Sequence, residues 1–127
     1  MAGSLTMADK PSFPRRGLDF TVLRWANVTR CEVAFHPLED WSPTDWMTAV
    51  AGEVGEAANY IKKMRRGEPI ATEAIAKELA DAVIYIDLLA ARLGIDLGDA
   101  VVDKFNEVSD RVSSSIRLVA PEVVSNG

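Results

Sequence analysis

Two long segments with helical spacing of apolar residues, joined by a short loop, constrain this chain more than any other feature. The first segment repeats apolar residues every three or four positions, at Met47, Val50, Val54, Ala57, Ile61 and Met64. The second repeats the pattern at Ile75, Leu79, Ala82, Ile86, Leu89 and Leu93. Such stripes are typical of packed helix pairs, and the short loop predicts an antiparallel hairpin.

The start of the first hairpin helix is well marked in the sequence. Ser42 suits the N-cap position, and Asp45 occupies the acidic position of a capping box. Trp41 and Trp46 fill the two positions of a hydrophobic staple. The helix should end near Arg66, because "RRGEP" brings basic residues, a glycine and a proline together.

The rest of the chain also has helical spacing, and no segment alternates like a strand. Further helices are expected at about 18–35, 72–94 and 97–115, the last capped by Asp96 or its neighbours. We therefore predict an all-α bundle of four or five helices around the central hairpin. The helical domain should span residues 18–117, between a mobile tail at 1–17 and a second tail at 118–127.

Composition and the distribution of apolar residues argue against several classes of function. The 127-residue chain has 14 Lys and Arg against 19 Asp and Glu, a formal net charge of -5, which argues against a nucleic-acid partner. No apolar run approaches a membrane span, and no signal peptide is apparent. Cys31 is the single cysteine; it predicts an inert thiol in a reducing, cytoplasmic compartment.

Four acids stand out in the hairpin as two pairs, Glu53 with Glu56 and Glu78 with Asp81. Both pairs occupy the g and c positions of their heptads, so in an antiparallel hairpin they lie on the same flank. They are also symmetric about Gly67 in the loop. If the chain folds back there, Glu53 is level with Asp81 and Glu56 with Glu78.

A solvated acidic face and a metal site both fit such a cluster. The flank also carries Tyr60, Tyr85 and Leu88, which are unusual on an open surface, and no basic residue follows Glu53, Glu56 or Asp81 at i+4. A metal is the better account of converging carboxylates. The set has no His or Cys, which favours Mg²⁺, or Mn²⁺ as a substitute, over zinc or iron. Magnesium on carboxylates is usually completed by water and phosphates, so nucleotide chemistry is indicated.

Gly52 and Gly55 interrupt the helix beside these acids, each at a cost of about 1 kcal/mol relative to alanine. A bare backbone there lets the nucleotide or another helix approach closely. Tight helix packing explains the same glycines equally well.

The acids and their flanks resemble a known signature. Glu-x-x-Glu, 21 residues, then Glu-x-x-Asp is similar to the all-α nucleoside triphosphate pyrophosphohydrolases, the MazG-like superfamily that includes dimeric dUTPases. "FHPLEDWSPTDWMTAVAGEVGEAANYIKKMRRGE", "KELADAVIYIDLLAARLGIDL" and "KFNEVSDRVSSSIRL" resemble the small single-domain proteins of phages and mobile elements. The resemblance covers about residues 20–118.

The resemblance implies hydrolysis of an NTP or dNTP to the monophosphate and pyrophosphate, to clear non-standard or excess nucleotides. Glu53, Glu56, Glu78 and Asp81 would be the catalytic Mg²⁺ ligands. Family members also use a Lys and an Asn of the last helix against phosphates or sugar. In this chain these fall at Lys104 and Asn106. The family forms dimers and tetramers, so a homodimer or homotetramer is expected.

Recognition of the nucleotide is less constrained by the sequence. Trp46 would stack on a base, although the staple already explains it. His36 before Pro37 either ends a helix or binds the nucleotide. Asn59 and Lys63 share the flank of Glu56 and are candidates for phosphate or base contacts.

Other functions remain open. The same site would serve dUTP, dCTP or an alarmone, with dUTP disfavoured because the chain is shorter than the dimeric dUTPases. A non-catalytic helical interaction module with solvated acids is the alternative outside enzymes.

Overall fold

The computed structural model describes residues 17–119, and within this range the protein is entirely helical. The predicted all-α fold is thus confirmed. Four α-helices follow one another, α1 (Phe20–Arg30), α2 (Pro43–Arg65), α3 (Thr72–Arg92) and α4 (Leu97–Arg111). A π-helical turn (Cys31–Phe35) extends α1, and a 3₁₀ turn (Leu38–Asp40) precedes α2. The predicted tails at 1–17 and 118–127 lie almost wholly outside the described residues.

The first helical segment runs close to its predicted bounds of 18–35. Asp19 caps α1, its side chain accepting a hydrogen bond from the Val22 amide at 2.8 Å. The π-helical turn ends at His36, which is extended (φ -160°, ψ 161°). Because Pro37 follows, His36 is disfavoured in the helical region, and this ends the helix.

α2 begins as its sequence predicts. The Asp45 amide donates to Ser42 Oγ at 3.2 Å and the Ser42 amide donates to Asp45 Oδ2 at 2.9 Å, which completes the capping box. The Trp41 and Trp46 rings pack 4.6 Å apart, as expected of a staple. After α2 the chain turns at Gly67, whose φ of +85° favours glycine.

α2 and α3 form the predicted antiparallel hairpin, and α1 packs against α3. The contact between α1 and α3 centres on Asp87, which is 0% exposed. Arg24 Nε and Asn27 Nδ2 each donate to the Asp87 carboxylate at 3.1 Å. Asn27 Nδ2 also donates to the Ile84 carbonyl at 2.9 Å, so a buried polar network fixes the position of α1.

The buried line of the hairpin differs from the predicted stripes. Val50, Ala57 and Ala82 are buried as expected, but Val54 and Leu79 are 51% and 55% exposed. The buried side of α2 instead includes Trp46 and the half-buried Glu53 and Tyr60. The helices are therefore rotated so that the large aromatic side chains and the acids lie nearer the contact.

This rotation leaves one side of the hairpin uncovered within the described chain. We call it the outer apolar face; its exposed residues are Met47, Val54, Ile61, Leu79, Val83 and Ile86. These residues lie three, four or seven positions apart along each helix, so they form a continuous stripe.

α4 ends four residues before its predicted end at 115. Ser113 adopts a positive φ of 58°, and the Ser114 amide donates back to the Ser109 carbonyl at 2.8 Å. The chain then returns along α4, where the Asn106 amide pairs with both backbone groups of Leu118 at 2.9 Å. The returning segment supplies contacts that a straight helix would not make.

Candidate functional site

Three of the four acids meet between α2 and α3. Glu53, Glu78 and Asp81 each offer a carboxylate oxygen within 4.8 Å of the others. Glu56 lies one turn beyond Glu53 and is close enough to Glu78 for their carboxyl groups to interact. The turn at Gly67 sets this register, because it places matching levels of the antiparallel helices side by side.

The electrostatics of this cluster are unfavourable without a cation. Hydrogen bonding to the Glu78 side chain and the charge of Glu78 raise the pKa of Glu56 above its ordinary value, with burial and the charge of Asp81 adding to the effect. Glu53 Oε2 and Glu78 Oε2 are buried without a hydrogen-bond partner. None of the four ion pairs among residues 17–119 includes one of these acids.

The donor set fits a hard divalent cation. Unpaired buried carboxylate oxygens are costly, and a bound cation removes that cost. Oxygen ligands without nitrogen or sulfur suit Mg²⁺ and Mn²⁺. Glu53, Glu56, Glu78 and Asp81 could therefore hold such an ion.

A cavity of about 330 Å³ adjoins the acids. Its lining residues are Asn27, Arg30, Cys31, Phe35, His36, Trp41, Trp46, Asp81, Ile84, Tyr85 and Leu88. Asp81 belongs both to this lining and to the acid cluster. The volume lies in the range of small-molecule sites, so one ligand can fill the cavity and still reach the carboxylates.

Aromatic rings form one wall of the cavity. The His36 ring lies 4.7 Å from Trp41 and 5.6 Å from Trp46, and Trp46 lies 6.2 Å from Tyr85. Trp46 is 2% exposed and its Nε1 donates to the Leu38 carbonyl at 3.2 Å. Such a wall can stack against a planar heterocycle.

The other candidate residues lie apart from this cavity. Lys63 is half-buried, with its ammonium 5.9 Å from the Tyr60 ring, and Asn59 is exposed. Lys104 is exposed and pairs with Glu107 at 2.9 Å. The Asn106 amide is occupied by Leu118. None of these four residues lines the cavity beside the acids.

Sequence reasoning missed Asn27 and did not connect Cys31 with the cavity. Asn27 is a polar residue on the buried side of α1, and Asp87 interrupts an apolar stretch in "IYIDLLA". A polar residue on a buried helix face is a signal for a hydrogen-bond network, but the sequence does not say that a cavity adjoins it. Burial raises the pKa of the Cys31 thiol, with the charge of Glu32 as a second cause, so this thiol is a poor nucleophile.

Every helix among residues 17–119 is too short or too polar to span a lipid bilayer.

Comparison with known proteins identifies relatives of the chain. The family model of the MazG nucleotide pyrophosphohydrolase domain matches residues 42–113. dCTP pyrophosphatase 1 of Homo sapiens is 33% identical over 91 residues, covering 63% of this chain and 54% of the relative. The proteins of that name from Rattus norvegicus and Mus musculus are both 32% identical over the same length. The chain thus spans about half the length of these relatives. No solved structure matches it.

Proposed function

Since the chain belongs to the MazG nucleotide pyrophosphohydrolase domain family, we propose that it hydrolyses a nucleoside triphosphate, NTP or dNTP, to the monophosphate and pyrophosphate with Mg²⁺. One observation carries the proposal. Two buried, unpartnered carboxylate oxygens stand in an acid cluster that shares Asp81 with an aromatic-walled cavity. The acid cluster would hold the metal ion and the triphosphate, and the adjoining cavity would hold the base. The physiological role would be to remove non-standard or excess nucleotides in the cytoplasm.

The proposed metal ligands are Glu53, Glu56, Glu78 and Asp81, with Mn²⁺ as a possible substitute for Mg²⁺. When bound, the ion would neutralise part of the triphosphate charge and make water a better nucleophile. A carboxylate of the cluster accepts the proton of the attacking water. The water oxygen bonds to one of the two phosphorus atoms of the anhydride between the α- and β-phosphoryl groups, the bridging bond to that phosphorus breaks, and the monophosphate and pyrophosphate are released.

The cavity is proposed to hold the base. Trp46 and His36 belong to its aromatic wall, and a base stacked there directs its phosphates toward Asp81. Lys63 and Asn59 lie on the helix flank of Glu56 and are proposed phosphate contacts. Lys104 and Asn106 are expected to contact phosphates or sugar. Within one chain, Lys104 would first have to leave Glu107, and Asn106 would have to leave Leu118. Alternatively, the two side chains would reach the site of a second copy.

A second copy of the chain is the proposed partner, in a homodimer or homotetramer. The outer apolar face supports this proposal, because monomeric proteins rarely expose a continuous apolar stripe. A nucleic-acid or membrane partner is not proposed.

dCTP is a specific candidate among the substrates, because the relatives of this chain are named dCTP pyrophosphatase 1. dUTP and an alarmone would use the same site. The non-catalytic interaction module leaves the unpartnered carboxylate oxygens unexplained.

Pyrophosphate release from a panel of NTPs and dNTPs tests the proposal, with Mg²⁺, with Mn²⁺ and with a chelator. We expect metal-dependent release that Glu56→Ala or Asp81→Ala abolishes. Glu73→Ala removes an exposed acid from the first turn of α3 and should keep the activity. A folded wild-type protein that releases no pyrophosphate from any nucleotide would overturn the proposed function.

A further inference from the structure

Asn27 has a fixed amide orientation beside the cavity. The residue is 4% exposed. Its Nδ2 donates to the Ile84 carbonyl at 2.9 Å and to Asp87 Oδ2 at 3.1 Å. Both partners are acceptors, so the two amide hydrogens are used and the positions of nitrogen and oxygen in the side chain are determined.

The remaining amide atom, Oδ1, is an acceptor without a partner among residues 17–119. Unlike Glu53 Oε2 and Glu78 Oε2, which are buried without a hydrogen-bond partner, this oxygen is not fully buried. Asn27 lines the 330 Å³ cavity, so a ligand there can reach the oxygen. Asp87 is held in turn by Arg24. The amide therefore cannot turn to present its nitrogen without breaking a buried network.

We propose that Asn27 is a specificity-determining residue that accepts a hydrogen bond from an exocyclic amino group of the base. The inference rests on the proposed function, in which the cavity holds the base. It favours a 4-amino pyrimidine or a 6-amino purine over the corresponding keto base. A keto oxygen would place two acceptors face to face and leave both unpaired.

Arg30 also lines the cavity and could donate to a keto oxygen. Its side chain is exposed, however, and water satisfies its donors whichever base is bound. A base that fills the cavity would instead separate the Asn27 acceptor from water, so this acceptor would have no such substitute. We therefore expect a preference of about 10- to 100-fold in kcat/KM for the amino base.

Two pairs of nucleotides test this preference, dCTP with dUTP and dATP with dITP. In each pair the first member has an exocyclic amino group where the second has a keto oxygen. Wild-type kcat/KM with Mg²⁺ should favour the amino member of each pair about tenfold or more. Asn27→Ala should lower the rate for dCTP and leave dUTP within about threefold, so that the ratio approaches one. Thr29→Ala, an exposed change on the same helix outside this cavity, should keep the wild-type ratio.

Tryptophan fluorescence separates the outcomes, because Trp41 and Trp46 line the cavity and binding of dCMP or dUMP needs no catalysis. Hydrolysis or binding without preference for the amino base would overturn the role of Asn27 alone. Preferential binding of dCMP without hydrolysis of any triphosphate would overturn the proposed function and support the role of Asn27. If circular dichroism shows that Asn27→Ala does not fold, the wild-type preference within the two nucleotide pairs tests the proposal.

Discussion

Glu56 on α2 and Glu78 on α3 interact across the hairpin, and the Glu78 side chain raises the pKa of Glu56. The two carboxyl groups repel when both are ionised, and Glu53 and Asp81 add further charge at the same place. The chain concentrates these charges at the junction of its two longest helices. Stability at this junction should therefore depend on divalent cations.

Thermal unfolding with and without Mg²⁺ measures this dependence independently of activity. At about 100 times its Kd, the ion should stabilise the wild type by about 2.7 kcal/mol. Glu78→Gln removes one charge, so it should unfold at a higher temperature than the wild type without metal and lose most of the Mg²⁺ response. Glu73→Gln should respond like the wild type. A wild-type melting temperature unchanged by Mg²⁺ and Mn²⁺ would contradict the metal assignment.

His36 provides a test of the aromatic wall. His36→Ala removes a ring that stacks 4.7 Å from Trp41. We expect KM to rise about 2- to 10-fold with little change in kcat, because an aromatic contact contributes about 0.5–1.5 kcal/mol. Val33→Ala changes an exposed residue of the π-helical turn that precedes His36 and should leave both constants unaltered. A fall in kcat at constant KM would place His36 in the chemical step instead.

The glycines of α2 can be tested for a role in stability and in activity. A Cβ atom at Gly52 or Gly55 would meet nothing within 4 Å. Tight packing within this chain therefore does not require them, and Gly55→Ala should raise the free energy of unfolding by about 1 kcal/mol. Calorimetry checks this value, and a destabilised variant would show that the position is covered in solution. If either alanine variant is more stable but less active, the bare backbone serves the nucleotide.

The outer apolar face predicts how the chain self-associates. Ile61→Glu and Val83→Glu place a charge on this face and should shift the molecular mass measured by light scattering toward the monomer. Val33 lies outside this face and is 82% exposed, so Val33→Glu introduces the same charge but should leave the measured mass unchanged. A wild type that is already monomeric at high concentration would refute the homo-oligomer.

The parts of the structure that local sequence determines were predictable. The α2 start depends on a few consecutive residues around Ser42, and the levels of the acids depend on a short loop at Gly67. The rotation of α2 against α3 was not predictable, because Met47 and Trp46 are both apolar and only the packed structure decides which is buried. The end of α4 depends on a returning segment, and the amide of Asn27 depends on Asp87, which is distant in sequence.

α3 carries the different parts of the site at intervals of three residues. Glu78 and Asp81 belong to the acid cluster, and Ile84 lines the cavity. Asp87 accepts a hydrogen bond from the side-chain amide of Asn27 on α1. A helix rises about 1.5 Å per residue, so about 9 Å of rigid rod separates the levels of Asp81 and Asp87. The helix therefore fixes the distance between the acid cluster and the level of Asn27. If the cavity holds the base and the acids hold the metal and phosphates, as proposed, a ligand with too short or too long a distance between its heterocycle and its phosphates would not reach both places at once.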